Sequence, residues 1–149
     1  MGKMQFKIDI QAPKEKVWET LWNDSTYREW TSPFAEGSRA ETDWEEGSKV
    51  LFTDGKGSGM VSVIAEKKPN EFMSFKHLGT VVDGVEDLDS EKNKPWAGAL
   101  ENYTLKGADG KTELLVEMDF SGLSPEMTSY FEQAWPKALD KLKEVAEKN

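Results

Sequence analysis

The chain is 149 residues long, a usual length for one domain and enough to bury roughly 70% of the surface that the unfolded chain exposes. It has no cysteine and one histidine, which excludes disulfides, thiolate metal sites, cysteine nucleophiles and multi-histidine metal centres. The net charge of −9 disfavours nucleic acid and membrane partners, because binding to both depends on basic side chains. The first residues lack the apolar run of a signal peptide, so we expect one cytoplasmic domain over residues 1–149.

The N-terminal part is predicted to form a strand followed by two short helices. Residues 4–10 alternate between apolar and polar side chains, which is the period of a strand with one wet face. Pro13 suits the first position of a helix, and apolar residues then recur at helical spacing until Asn23. A second short helix is predicted from Ser25 to Trp30, and it ends at Ser32-Pro33 because the residue before a proline disfavours helix.

The middle of the chain is predicted to be an antiparallel meander, since short strand-like runs alternate with turn residues. Asp54-Gly55-Lys56-Gly57 and Ala108-Asp109-Gly110 are the strongest hairpin signals. The polar, acidic stretch from Val82 to Pro95 is predicted to be a mobile loop. The predicted strands lie near Ala40 to Trp44, Lys49 to Thr53, Ser58 to Lys67, Glu71 to His77, Leu100 to Lys106 and Thr112 to Phe120.

A long final helix is predicted to begin at Ser124-Pro125, where Ser is a cap and Pro suits the first turn. Pro136 should kink this helix, which would allow it to follow a curved sheet. The element order favours an α+β helix-grip fold: a curved antiparallel sheet wrapped around a long C-terminal helix, with two short helices after the first strand. The apolar stripe of the helix consists of Met127, Phe131, Trp135, Ala138, Leu142 and Val145.

Three segments carry a family resemblance: "IDIQAPKEKVWETLWNDSTYREW", "ENYTLKGADGKTELLVEMDF" and "FEQAWPKALDKLKEVAE". They resemble the START-like SRPBCC superfamily, and within it proteins similar to the activator of heat-shock-protein-90 ATPase. The resemblance covers nearly the whole chain, and its motifs describe positions in the fold rather than chemistry. It implies a cavity between the long helix and the concave face of the sheet, which suits the 6 Trp and 7 Phe of the chain.

Bulky apolar side chains at strand and helix positions are the candidates for the cavity wall, although each one alone is more simply explained as core packing. His77 should lie on the same strand face as Phe75 and join this wall. We expect no cofactor and no metal site. The ligand-binding candidates are Trp30, Phe34, Trp44, Phe52, Met60, Phe75, His77, Tyr103, Met127, Phe131 and Trp135.

Polar candidates within the same region are few. His77 would serve as a polar anchor or general base, but no acidic partner is identifiable from spacing, so a satisfied histidine at the end of a strand is favoured. Glu101 and Tyr103 share one face of their strand, which suits hydrogen bonding to a polar ligand group or an acid–base pair, although a solvated strand edge explains them as well. We therefore predict no catalytic residue.

Two other stretches were candidates for ligand-binding loops, but neither matches the known sequence pattern. The acidic cluster from Asp83 to Glu91 lacks the glycine and the final glutamate that an EF-hand calcium loop requires. Gly55, Gly57 and Gly59 do not match a phosphate-binding loop and are typical of a hairpin tip.

Three functions remain open. The favoured one is a binding module for a small hydrophobic molecule of the lipid, sterol or polyketide-like kind. The second is a protein-interaction domain that meets a chaperone, for which the acidic loop and an exposed Trp96 would be the features to test. The third is a cyclase or hydrolase, which requires His77, Glu101 and Tyr103 to converge on one ligand position.

Overall fold

The alternating segments of the chain form one antiparallel sheet in a computed structural model that describes residues 3–34, 37–88, 98–119 and 125–148. Three helices accompany the sheet in these ranges: α1 (Lys14–Trp22), α2 (Asp24–Trp30) and α3 (Pro125–Lys148). The strands are β1 (Lys3–Ile10), β2 (Arg39–Glu41), β3 (Lys49–Thr53), β4 (Gly59–Lys68), β5 (Phe72–Val82), β6 (Val85–Asp87), β7 (Leu100–Ala108) and β8 (Lys111–Asp119).

The sheet runs in the order β1-β8-β7-β5-β4-β3-β2, with β6 paired to β5. It curls around α3, and this confirms the predicted α+β helix-grip class. The β7–β8 hairpin closes through Asp109 and Gly110, which have φ values of 54° and 77°. Both angles lie in the left-handed region, which is the requirement of the two-residue turn predicted there.

The core lies between the concave face of the sheet and α3, which also packs against α1 and α2. Trp135, Ala138 and Leu142 of the predicted stripe are buried in it, while Pro136 is exposed within a helix that continues on both sides. The predicted Ser124 cap lies outside the described residues, and so does the Met127 side chain.

Two predictions about the meander are wrong. The chain does not enter a loop at Val82, because Asp83 and Gly84, both at positive φ, turn β5 into β6 and pair Val82 with Val85. Because this stretch is polar and acidic, its sequence pattern predicted a loop rather than a hairpin. The strand predicted up to Trp44 ends at Glu41, since the Trp44 backbone has φ 63°, which no strand residue adopts. Residues 89–97 lie outside the described part of the chain, and they include the rest of the predicted loop and Trp96.

Among the described helices, none combines the length and the apolar character needed to cross a membrane.

Candidate functional site

A half-open pocket of about 220 Å³ lies between α2, the N-terminal half of α3 and the strands β3, β4, β5 and β7. At its mouth, the Tyr130 hydroxyl of α3 donates a hydrogen bond to the carbonyl of Phe34, which follows α2. The wall consists of Tyr27, Trp30, Thr31, Phe34, Ser38, Phe52, Thr53, Asp54, Ser58, Gly59, Met60, His77, Glu101, Tyr103, Tyr130, Phe131 and Trp135.

Aromatic rings make up most of the pocket wall, and they contact one another. The Trp135 ring lies 4.9 Å from Phe34, 6.2 Å from Trp30 and 6.1 Å from Tyr103 between centroids. These are the separations of packed, mainly tilted or edge-to-face pairs, which hold the rings of the wall in place. The Nε1–H of Trp135 is buried without a hydrogen-bond partner among the described residues, a cost that a water or a ligand acceptor would remove.

One corner of the pocket is polar: His77, Glu101 and Tyr103 line it, and the fully buried Ser62 contacts His77 from outside the wall. We call these four residues the polar corner. Ser62 Oγ lies 2.6 Å from His77 Nδ1, and His77 Nε2 lies 3.1 Å from Glu101 Oε1. The Tyr103 hydroxyl donates to the other carboxylate oxygen, Glu101 Oε2. The His77 side chain is 1% exposed and that of Glu101 is 14% exposed, so this series of hydrogen bonds is largely removed from water.

Strand register brings the polar corner together. His77 of β5 pairs directly with Ser62 of β4. This pairing results from a register shift after Val61, at which one residue of β5 is skipped. Glu101 pairs with Phe75 across β5 and β7, so His77, two residues further, is its diagonal neighbour on the same face. The acidic partner of His77, which spacing did not identify, is Glu101, 24 residues away in sequence and adjacent in the sheet. His77 is hydrogen-bonded as expected, but it lies within β5 rather than at the end of a strand.

The hydrogen bonds define the protonation of the imidazole. An ionised Glu101 only accepts hydrogen bonds, so its contact with His77 requires a proton on Nε2. In a neutral imidazole, Nδ1 is then the acceptor of the Ser62 hydroxyl. Glu101 thus accepts from two protein donors, and its four lone-pair positions leave further capacity for a ligand.

Burial and the negative charge of Glu101 perturb the two phenols nearest to it. Burial first, and Glu101 second, raise the pKa of Tyr103 well above its usual 10.0. The same two causes in the same order raise the pKa of Tyr27. At the half-buried Asp54, backbone N–H groups of Ser58 and Lys56 lower the pKa of the carboxyl. The pocket wall therefore keeps its phenols protonated and Asp54 ionised at neutral pH.

Most of the ligand-binding candidates meet in this pocket. Trp44 and Phe75 do not line it: Phe75 is fully buried, and both rings pack against Trp22 on the core side. For Met127 the structure describes only the backbone. The candidates that do line the pocket are Trp30, Phe34, Phe52, Met60, His77, Tyr103, Phe131 and Trp135.

Sequence reasoning missed part of the wall. Tyr27 lies on the same face of α2 as Trp30, three residues away, and that spacing was a usable signal. Asp54 and Ser58 belong to a turn whose approach to the pocket no local pattern shows. Glu101 was considered as part of an acid–base pair but was left out of the ligand-binding candidates.

Other places in the described part of the chain offer less. A depression of about 370 Å³ beside the β7–β8 turn is larger, but its lining is mainly polar and exposed, and the hydroxyl of its buried Thr112 already donates to the Ala12 carbonyl. The described residues contain no group of three or more His, Asp or Glu side chains placed to hold a metal ion. The expected absence of a metal site stays a prediction.

Comparison with solved structures places the fold among known ones. The Aha1 dimer from Colwellia psychrerythraea superposes with a TM-score of 0.76 at 18% identity over 99% of this chain and 97% of that chain. A protein from Cytophaga hutchinsonii gives 0.69 at 23% identity over 98% and 94%. DynU16, from the dynemicin biosynthetic locus, gives 0.73 at 16% identity over 99% of this chain but only 48% of its own length. This chain therefore spans about half of DynU16, and such low identities show the fold alone.

Sequence comparison supplies the family. No curated protein matches the chain. The family model described as "Activator of Hsp90 ATPase homolog 1-like protein" matches residues 11–147, which include both short helices, the meander and nearly all of α3. The chain belongs to the activator of Hsp90 ATPase homolog 1-like family, within the START-like SRPBCC superfamily that its sequence resembles.

Proposed function

We propose that the protein is a binding module that holds a small, mainly apolar molecule in the pocket, with one polar group of the ligand at the polar corner. The observation that carries this proposal is an aromatic wall that contains a hydrogen-bonded group of Glu101, His77 and Tyr103. Apolar walls provide affinity, while a few fixed polar groups orient a ligand. A buried carboxylate has a desolvation cost that packing alone does not explain.

The pocket volume limits the size of the ligand. An apolar cavity of about 150 Å³ holds a benzene ring. By proportion, about 220 Å³ accommodates roughly nine or ten non-hydrogen atoms. This supports a single-ring aromatic or short-chain compound rather than a whole sterol, which would require Phe131 and Tyr130 at the mouth to move apart.

A binding experiment with two matched variants tests the proposal. Amide chemical shifts are followed by NMR while neutral single-ring and two-ring aromatics are added to the wild type. Met60→Trp places an indole into the pocket, and Val63→Trp adds the same indole on the same strand at a half-buried position that does not line it. Saturable shifts at the polar corner are expected in the wild type and in Val63→Trp, and they should disappear in Met60→Trp.

The proposal fails if no compound of the panel shifts the amides of pocket residues, or if Met60→Trp binds as well as Val63→Trp. Thermal unfolding of both variants shows beforehand that each is folded.

An enzymatic role is the second candidate, and the convergence of His77, Glu101 and Tyr103 in one corner favours it. His77 Nδ1 is placed to accept the proton of the Ser62 hydroxyl, and the ionised Glu101 would stabilise the imidazolium that forms, an arrangement suited to general acid–base chemistry. If a bound compound is converted, Glu101→Gln should abolish turnover, seen as product signals in the NMR spectrum. Binding with no conversion over days would refute this candidate.

A chaperone partner is the third candidate. The family description and a group of exposed apolar residues around the β5–β6 hairpin, Val82, Val85 and Leu88, support a protein-facing surface. Titration of the labelled protein with an Hsp90-type chaperone should then broaden the amide signals of this hairpin. Val85→Lys should prevent the broadening, and an unchanged spectrum of the wild type would contradict the idea.

A further inference from the structure

We infer that the ligand class of the pocket is an organic cation: a protonated amine or quaternary ammonium on a small aromatic or short apolar body. This inference rests on the proposed function and narrows it to a class of ligand that the family description does not name. The juxtaposition that carries it is a largely buried carboxylate within a wall of aromatic rings that contains no basic side chain among the described residues.

The charge of the pocket wall is the first step. Among the described residues, its charged groups are the carboxylates of Asp54 and Glu101, and neither Lys nor Arg lines it. With the imidazole neutral the formal charge is −2, and with an imidazolium it is −1, so the wall is negative in both states. Lys56, on the same turn as Asp54, offsets part of the field at the mouth. It does not line the pocket, and Glu101 remains the charge at its inner end.

The hydrogen-bonding capacity of Glu101 is the second step. Its two hydrogen bonds within the described part of the chain are with neutral groups, a phenol and an imidazole, so no described side chain of the wall balances its charge when the imidazole is neutral. Glu101 lines the pocket, and these two bonds use two of its four lone-pair positions. An ammonium group that donates to Glu101 would form a charge-assisted pair in a site partly removed from water, where such a pair is strongest.

The aromatic wall is the third step. Tyr103 lies 6.1 Å from Trp135, and Trp30 lies 5.4 Å from Tyr27 and 6.2 Å from Trp135, measured between ring centroids. All four of these rings line the pocket, so a cation bound there would lie close to several aromatic rings, and aromatic rings around a site attract ammonium groups. A carboxylate ligand is negatively charged, so the same aromatic rings and the carboxylate of Glu101 would disfavour its binding.

The remaining polar groups of the wall do not distinguish between a cation, an alcohol and an acid as the ligand. The hydroxyls of Thr31, Thr53 and Ser58 both donate and accept, so they suit a cation, an alcohol or an acid equally. The indole N–H of Trp135 is a donor, and it suits an oxygen on the apolar body of any of the three. Glu101 is therefore the group whose charge discriminates.

Three probes of nearly equal size separate the classes: 2-phenylethylammonium, 2-phenylethanol and phenylacetate. Calorimetric titration at physiological ionic strength compares them on the wild type, on Glu101→Gln and on Glu132→Gln. The last variant makes the same charge change at an exposed position of α3 outside the pocket. It controls for the net charge of −9, which by itself attracts cations.

On the wild type the cation should bind about tenfold more tightly than the alcohol, and the carboxylate should bind most weakly. Glu101→Gln should reduce cation affinity about tenfold and leave alcohol affinity within about twofold, while Glu132→Gln changes neither. If the alcohol or the carboxylate binds as tightly as the cation, the inference is overturned and the proposed function stands. If none of the three binds, the inference is overturned, and the neutral panel with Met60→Trp decides the proposed function separately.

Discussion

Replacing Tyr103 by Phe removes one hydroxyl from the polar corner and changes almost nothing else in shape. The hydroxyl donates to Glu101 Oε2, and the side chain of Tyr103 is 3% exposed, so water does not readily replace the bond. Hydrogen bonds to charged groups contribute about 1.5–3 kcal/mol, roughly twice the value of neutral ones. Because Glu101 would keep only its contact with His77, we expect Tyr103→Phe to lower the free energy of unfolding by about 1.5–3 kcal/mol.

For a chain of this length that loss corresponds to a decrease of about 3–12 °C in Tm. Urea and thermal unfolding measure it, with Tyr27→Phe as the matched control. Tyr27 is also buried and lines the same pocket, but among the described hydrogen bonds its hydroxyl does not donate to Glu101. Its replacement should cost less than about 1 kcal/mol.

A double-mutant cycle with Glu101→Gln isolates the interaction, and we expect a coupling of about 1 kcal/mol or more between Tyr103 and Glu101. If Tyr103→Phe costs no more than Tyr27→Phe, or if the coupling is below about 0.5 kcal/mol, the polar corner does not hold an ionised carboxylate as described.

Two further predictions concern the pocket wall. The chain has three tyrosines, and in Tyr130→Phe the two buried ones should show no phenolate absorbance until the protein unfolds in alkali. Because the pKa values of both phenols are raised in the folded state, the stability they contribute is complete below pH 10.0 and is lost as the pH rises above it. Ionisation of these phenols near pH 10.0 in the folded protein would contradict their burial. Gly59→Ala should destabilise the protein by about 1–3 kcal/mol, because the new Cβ would lie 1.8 Å from the carbonyl oxygen of Phe52. Gly107→Ala is the control, since its Cβ would meet only the flexible side chain of Lys14 at 3.3 Å and should cost far less; equal losses in urea unfolding would refute the distinction.

The elements of this fold could be predicted because each has a local cause. The alternation in residues 4–10 indicates β1, and Asp109-Gly110 indicates the β7–β8 turn, without knowledge of any contact between distant residues. The Asp83-Gly84 turn carries the same kind of signal, but the acidic residues after it made the stretch resemble a loop.

The polar corner could not be predicted in the same way. Glu101 and Tyr103 share a face by simple alternation, and that part was seen in the sequence. The contacts of His77 depend on the pairing of β5 with β7 and on a register shift between β4 and β5, and neither leaves a local pattern. Local patterns also do not show which aromatic residues line the pocket and which belong to the core. Phe52 and Phe75 are both strand aromatics, and only their packing assigns Phe52 to the pocket and Phe75 to the core.

The most direct test of the account is the position of a bound ligand. Intermolecular NOEs between 2-phenylethylammonium, or the tightest compound of the neutral panel, and the protein locate the ligand without any assumption about its site. The account predicts NOEs from the ligand ring to the Met60 methyl group and to the indole protons of Trp30 and Trp135. NOEs confined to the exposed valines of the β5–β6 hairpin, or to the depression beside the β7–β8 turn, would contradict it.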